Sequence, residues 1–153
     1  MQIKPLMHFI LGCGMKTQVF ISGPILGMEN NQDYYRNAIT TVCQKLGFEI
    51  IDPWKREKCF YKNDVEERDR SNCCRYHSIV QRDLDDVDRC DIMVVYLPKL
   101  SAGACMEMFY AKRKGKTVIV VSDMPQLSPW IKVHCDVLTK NFDELEEVLG
   151  KFK

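Results

Sequence analysis

No stretch of this 153-residue chain approaches the ~20 consecutive apolar residues of a membrane-spanning helix, so no transmembrane segment and no membrane partner are expected. Charge of one dominant sign is missing too: 22 Lys and Arg stand against 21 Asp and Glu, for a formal net charge of +1. Without a global positive field, long nucleic acid is not an expected partner. A small phosphorylated ligand stays open, because one local anion site does not register in a net charge. Internal repeats and low-complexity segments are absent, as are the phosphate-binding patterns GxxxxGK[ST] and GxGxxG. The eight cysteines include no CxxC pair, which removes support for a zinc ribbon or a redox motif. Cys73 and His77 share a helical face, but no second ligand pair accompanies them, so no metal is expected. Cys43, Cys90 and Cys105 sit in apolar, periodic segments and read as reduced thiols packed as small hydrophobes, in keeping with a cytoplasmic location.

What is present fits one ordinary globular domain: 46% hydrophobic and 28% charged residues, in a chain long enough to bury a core without staples. Residues 1–14 read as an N-terminal extension or alternative start. Leu11-Gly12-Cys13 faintly resembles the end of a lipoprotein signal, but the apolar run before it is short and broken by His8. Met15-Lys16 is a natural beginning for a domain spanning 15–153.

Four segments have the short, apolar, β-branched character of buried strands: Val19–Ile21, Phe48–Ile51, Ile92–Tyr96 and Val118–Val121. Val137-Leu138 is a weaker fifth. Helical patterns separate them. The first carries Tyr35, Ile39, Val42 and Leu46 on one face and ends at Gly47. Others run from about Asn72 to Arg89, from about Ala102 to Lys114, and from Asp143 to Phe152 after Asn141 as N-cap. This alternation implies a flavodoxin-like (Rossmann-like) α/β fold, a doubly wound five-stranded parallel sheet of order 2-1-3-4-5. Ligands in such sheets bind beyond the carboxyl ends of the strands, where strands 1 and 3 meet. The segment from Pro53 to about Ser71, rich in charge and holding Trp54, Phe60 and Tyr61, reads as a long irregular loop: either a lid stacking an aromatic ring on a base or a solvated excursion.

Three features near that crevice carry candidate chemistry. Ser22-Gly23-Pro24-Ile25-Leu26-Gly27 follows strand 1, and its glycines and exposed amides suit a phosphate or sugar oxygen, although a strand-to-loop turn also needs glycine for its own sake. On the second helical segment Tyr76, Val80, Asp83 and Val87 recur at spacings of four, three and four, placing Asp83 within an apolar stripe. Asp85, Asp86 and Asp88 are assigned to solvent. Finally, Ser101 is a good N-cap, and the small residues from Ser101 through Gly103 to Cys105 leave the next helix start open as an anion site. Glu107 follows about one and a half turns in, where the helix dipole is expected to favour its ionised form. Two carboxylates facing one crevice point to glycosidic chemistry.

Val19-Phe20-Ile21-Ser22-Gly23-Pro24-Ile25, Arg82-Asp83-Leu84, Cys90–Val95, Gly103-x-x-x-Glu107-Met108-x-Tyr110-Ala111 and Gly115-Lys116-Thr117-Val118 occur in an order that resembles the nucleoside 2-deoxyribosyltransferase family. The resemblance implies Glu107 as the catalytic nucleophile and Asp83 as the carboxylate engaging the sugar and the reacting region. Members acting on free nucleosides usually carry Asp six positions before the catalytic Glu, whereas this chain carries Ser101, as in the branch of 2′-deoxynucleoside 5′-monophosphate N-hydrolases. It also closes on Lys151-Phe152-Lys153, without the tyrosine that some transferases lend to a neighbouring subunit. Phe20 and Pro24 depart from the Tyr and Ser that the family and the hydrolase branch often have there.

The expected activity is hydrolysis of the base–sugar bond of a (deoxy)nucleoside 5′-monophosphate through a glycosyl-Glu107 intermediate. Asp83 assists, Ser22, Gly23, Pro24, Ile25, Gly27, Ser101 and Gly103 bind substrate, and no cofactor is required. Base exchange between nucleosides is the alternative, and a non-catalytic nucleotide-binding or sensing module a second. The resemblance further implies a homodimer or higher homo-oligomer, to which the segment from Ser128 to His134 contributes.

Overall fold

The computed structural model describes residues 14–62 and 73–153. Most of the expected N-terminal extension, and the part of the expected loop from 63 onward, therefore lie outside the described residues. Strand β1 (Gln18–Ser22) leads through α1 (Gln32–Leu46) to β2 (Glu49–Ile51). Helices α2 (Trp54–Lys62) and α3 (Cys73–Arg89) precede β3 (Ile92–Tyr96), and α4 (Ala102–Arg113) precedes β4 (Thr117–Val121). The short α5 (Pro129–Val133), β5 (Val137–Thr139), α6 (Phe142–Leu149) and a 3₁₀ turn (Gly150–Phe152) complete the chain. All neighbouring strands run parallel in the order β2-β1-β3-β4-β5, which is the flavodoxin-like arrangement expected from the alternation.

The two-residue period of a strand sorts the core into two layers. Val19, Ile21, Ile92, Val94, Ile119 and Val121 pack on one face against Tyr35 and Ile39 of α1 and Leu145 and Leu149 of α6. Phe20, Met93, Val95, Val118 and Val120 pack on the other against Val87 of α3, Met108 and Ala111 of α4 and Ile131 of α5. Ser22 continues the even-numbered series and so faces α4. Local signals act as the residue types dictate. Gly47 adopts a left-handed φ of 82° and caps α1, while the side chains of Ser101 and Asn141 accept backbone N–H bonds at the starts of α4 and α6.

Two expectations are corrected. The stretch after Pro53 is not irregular throughout: α2 fills 54–62, started by Asp52, whose carboxylate accepts the Trp54 N–H at 3.1 Å. The buried stripe of α3 is also displaced from the one expected. Tyr76 and Val80 are exposed, whereas Ile79, Asp86, Val87 and Cys90 are buried. Asp86, assigned to solvent by its neighbours, is 2% exposed because Arg56 of α2 and Arg89 both pair with it.

Candidate active site

Parallel pairing sets Ser22 beside Val95, which brings the loops after β1 and β3 together at the carboxyl edge. Lys99, in the second loop, ties them by donating to the carbonyls of Leu26 and Gly27, both at 3.2 Å. Between these loops and α3 opens a cleft of about 830 Å³, within the range that encloses a nucleotide-sized ligand. Gly23, Pro24, Ile25, Asp83, Ser101, Gly103 and Glu107 all line it, so most of the sequence-derived residues converge.

Ser22 and Gly27 differ. Ser22 is buried, and its hydroxyl donates to Oε2 of Glu107 at 2.5 Å, so it holds the carboxylate rather than the ligand. Gly27, with φ of 73°, sits where glycine is favoured, but its N–H already donates to Glu29 at 3.0 Å. Its amide is therefore not an open phosphate donor. Gly23 answers to packing: a Cβ there would lie 2.8 Å from the Tyr35 hydroxyl. At Gly103 an added Cβ would meet nothing within 4 Å, and this residue leaves the α4 start uncovered toward the cleft.

The turn after β1 is braced by residues that sequence reasoning missed. Gln32, fully buried, donates to the Pro24 carbonyl at 2.8 Å and the Met28 carbonyl at 3.1 Å. Its own oxygen accepts from the Tyr35 hydroxyl at 2.7 Å and Arg36 Nε at 2.8 Å. Arg36 in turn forms a buried ion pair with Asp52. Every polar atom of the Gln32 amide is thus used, which fixes the backbone that carries Gly23 to Ile25.

Burial governs the charges here. The Glu107 carboxyl is pushed up from 4.5 to about 7. Desolvation is the main cause; the Ser22 hydrogen bond and Arg36 oppose it, and the Asp83 charge adds to it. The helix start was expected to favour the ionised form of Glu107; burial acts the other way and raises the carboxyl. Asp83 is likewise raised by burial, countered by its hydrogen bond to Glu57 and by Arg56. Glu57, on α2, is 2% exposed and is raised to about 8 by burial and then by the Asp83 charge. A helix-start signal would have found it: Asp52 as cap, Pro53, then Trp54, Glu57 and Tyr61 on one face.

Trp54 is buried, so it offers no ring to a base, but Tyr61 lines the cleft beside Ile79, Val80 and Leu84. Met106, Phe109, Trp130 and His134 line another part of it. His77 is exposed, and among the described residues no group of three or more His, Cys, Asp or Glu is arranged to hold a metal ion.

A family model described as "Nucleoside 2-deoxyribosyltransferase like" matches residues 16–124. No curated protein matches the sequence. Among solved structures, the chain is similar to a 2-deoxyribosyltransferase from Bacillus psychrosaccharolyticus, with 14% identity, TM-score 0.64, and coverage of 85% of this chain and 90% of that one. It is also similar to a conserved protein from Enterococcus faecalis V583, with 15% identity, TM-score 0.63, and coverage of 90% and 99%. The CMP N-glycosidase BcmB of Clostridium botulinum shares 15% identity at TM-score 0.55, with coverage of 90% and 100%. At these identities the structural likeness speaks for the fold, and the family match for descent.

Proposed function

The chain belongs to the nucleoside 2-deoxyribosyltransferase-like family, and within that family's N-glycosyl transfer and hydrolysis chemistry we propose that it hydrolyses the base–sugar bond of a (deoxy)nucleoside 5′-monophosphate. The observation that carries the reading is Glu107, held by Ser22 on one wall of a cleft that also presents Asp83 and the Ser101-capped start of α4. Ionised Glu107 attacks C1′ as the base departs, giving a glycosyl ester. Water then opens the ester and releases the sugar 5-phosphate. Asp83 orients the sugar and manages the proton required by the leaving base. The 5′-phosphate lies at the start of α4, where the Ser101 hydroxyl and the backbone N–H groups of the first turn suit an anion. Pro24 and Ile25 confine the sugar, and no cofactor takes part.

The small-molecule partner and a cytoplasmic homodimer or higher homo-oligomer belong to the same proposal. Exposed Met106, Phe109, Trp130 and Val133 beside the cleft support the oligomer. The test offers a panel of nucleoside monophosphates and nucleosides and measures free base. Monophosphates are expected to release base, and Glu107→Ala to stop them. Release of no base from either group, or full turnover by Glu107→Ala, overturns the proposal. Adding a second base detects transfer: formation of a new nucleoside in place of free sugar phosphate would assign base exchange.

A further inference from the structure

Glu57 and Asp83 form a hydrogen-bonded carboxyl pair that shares Arg56 with a third carboxylate, Asp86. Glu57 arrives from α2, is 2% exposed, and sits behind Asp83, the member that lines the cleft. Among the described residues the cation paired with Asp83 is Arg56, whose Nη2 lies 2.5 Å from Asp86 but 3.8 Å from Asp83 Oδ1. Asp86 is also paired with Arg89. Oε1 of Glu57 and Oδ1 of Asp83 are buried and have no hydrogen-bond partner among the described residues. The groups acting on the pair are Arg56 on α2, Arg82 and Asp86 on α3, and Glu107 on α4. Among the described residues Arg56 is shared by both carboxyls and Asp86, and Arg82 acts more weakly on Asp83 alone, so a proton held between the two carboxyls lowers the cost of burying them together.

We propose that Glu57 is a positioning residue that holds one proton in common with Asp83, keeping Asp83 ready to serve as the acid for the departing base. This rests on the glycosidic reading of the site. As the C1′–N bond breaks, its electron pair leaves with the base and the pair's proton passes through Asp83 to the base nitrogen. When water opens the ester, its oxygen bonds to C1′ and the bond from C1′ to the Glu107 oxygen breaks, restoring the carboxylate. The second proton of that water returns to the Glu57–Asp83 pair. An acid must keep its proton at the working pH, and the like charge of a second carboxyl is what raises that limit. Burial raises both carboxyls and the Asp83 charge raises Glu57 further, so the pair's last proton is held up to about 8, with Glu57 as donor and Asp83 as acceptor.

The test uses the whole chain and two readouts. Carboxyl ¹³C resonances assigned to Glu57 and Asp83 are followed against pH in the wild type and in Glu57→Gln, which keeps the size and a hydrogen-bond donor. The two signals are expected to move together in the wild type, and the pair's upper midpoint, about 8 at Glu57, to be lost in the variant. In base-release assays the alkaline limb of kcat/KM is expected to fall by about one unit or more, with about a tenfold loss at pH 8 and a smaller one at pH 6. Independent titration of Glu57 in the ordinary carboxyl range overturns the shared proton, whether or not a substrate has been found. An unmoved alkaline limb in an active Glu57→Gln overturns the role in proton delivery. Joint titration in a chain that releases no base leaves the pair standing and removes the glycosidic reading instead.

Discussion

The Ser22 hydroxyl donates to Oε2 of Glu107 at 2.5 Å, joining the last residue of β1 to the second turn of α4 across 85 residues of sequence. A hydrogen bond donated to a carboxylate favours its charged form, so this contact holds Glu107 below the value that burial alone would set. In Ser22→Ala the Glu107 carboxyl is expected to rise further above about 7 and to be less ionised at neutral pH. The acid limb of kcat/KM should move up by about one unit, with roughly a tenfold loss near pH 6 that shrinks as pH rises. A profile superimposable on the wild type would show that the hydroxyl does not set this charge.

The same carboxyl ties stability to pH. Glu107 has an ordinary value of 4.5 and a folded value of about 7, so the folded state holds its proton more tightly. The stability this contributes is fully present below about 4.5 and is lost as pH rises through about 7. Glu107→Gln removes that dependence along with the nucleophile. Urea unfolding should therefore find the variant close to the wild type at pH 4.5 and more stable by about 1–3 kcal/mol at pH 8, although it has lost turnover. Equal pH dependence in both proteins would mean that Glu107 ionises as freely folded as unfolded.

The alternation of apolar runs was enough to give the sheet and its order, because buried parallel strands leave an unbroken β-branched signature at Val19, Ile92 and Val118. Asp83 was also legible, though through the wrong stripe: Tyr76 and Val80 share its spacing but are exposed. Asp86 was hidden by its acidic neighbours, since its burial depends on Arg56, a residue from a segment that read as a loop. Glu57 lies in that same segment, where the helix start at Asp52-Pro53 was legible but the charge-rich composition read as a loop. The Gln32–Arg36–Asp52 network depends on contacts between α1 and the end of β2 that no local period encodes.

That network makes a stability prediction independent of any substrate. Arg36 and Asp52 pair with side chains only 4% and 5% exposed. Asp52→Ala strands the guanidinium beside Tyr35 and Trp54 and removes the cap of α2. Leaving one buried charge without its partner costs about 3–5 kcal/mol, read as a lower urea midpoint at an unchanged m-value. A loss below about 1 kcal/mol would mean that Arg36 reaches water when its partner is gone.

Ser101 allows substrate choice to be separated from folding. Its side chain accepts the Ala104 N–H at 3.4 Å as the cap of α4, while the residue also lines the cleft. Alanine would remove the cap and blur the two roles, at about 1 kcal/mol. Ser101→Asp keeps a good cap, so the melting temperature should hold, but it adds a carboxylate where the 5′-phosphate is proposed to lie. Like charges at such a site repel, whereas an uncharged 5′-hydroxyl gains a hydrogen-bond acceptor. KM for monophosphates should therefore rise at least about tenfold, and KM for nucleosides should stay level or fall. The ratio of the two is the measurement, because a general disturbance of α4 would weaken both. If monophosphates and nucleosides lose affinity together, the phosphate does not sit at Ser101.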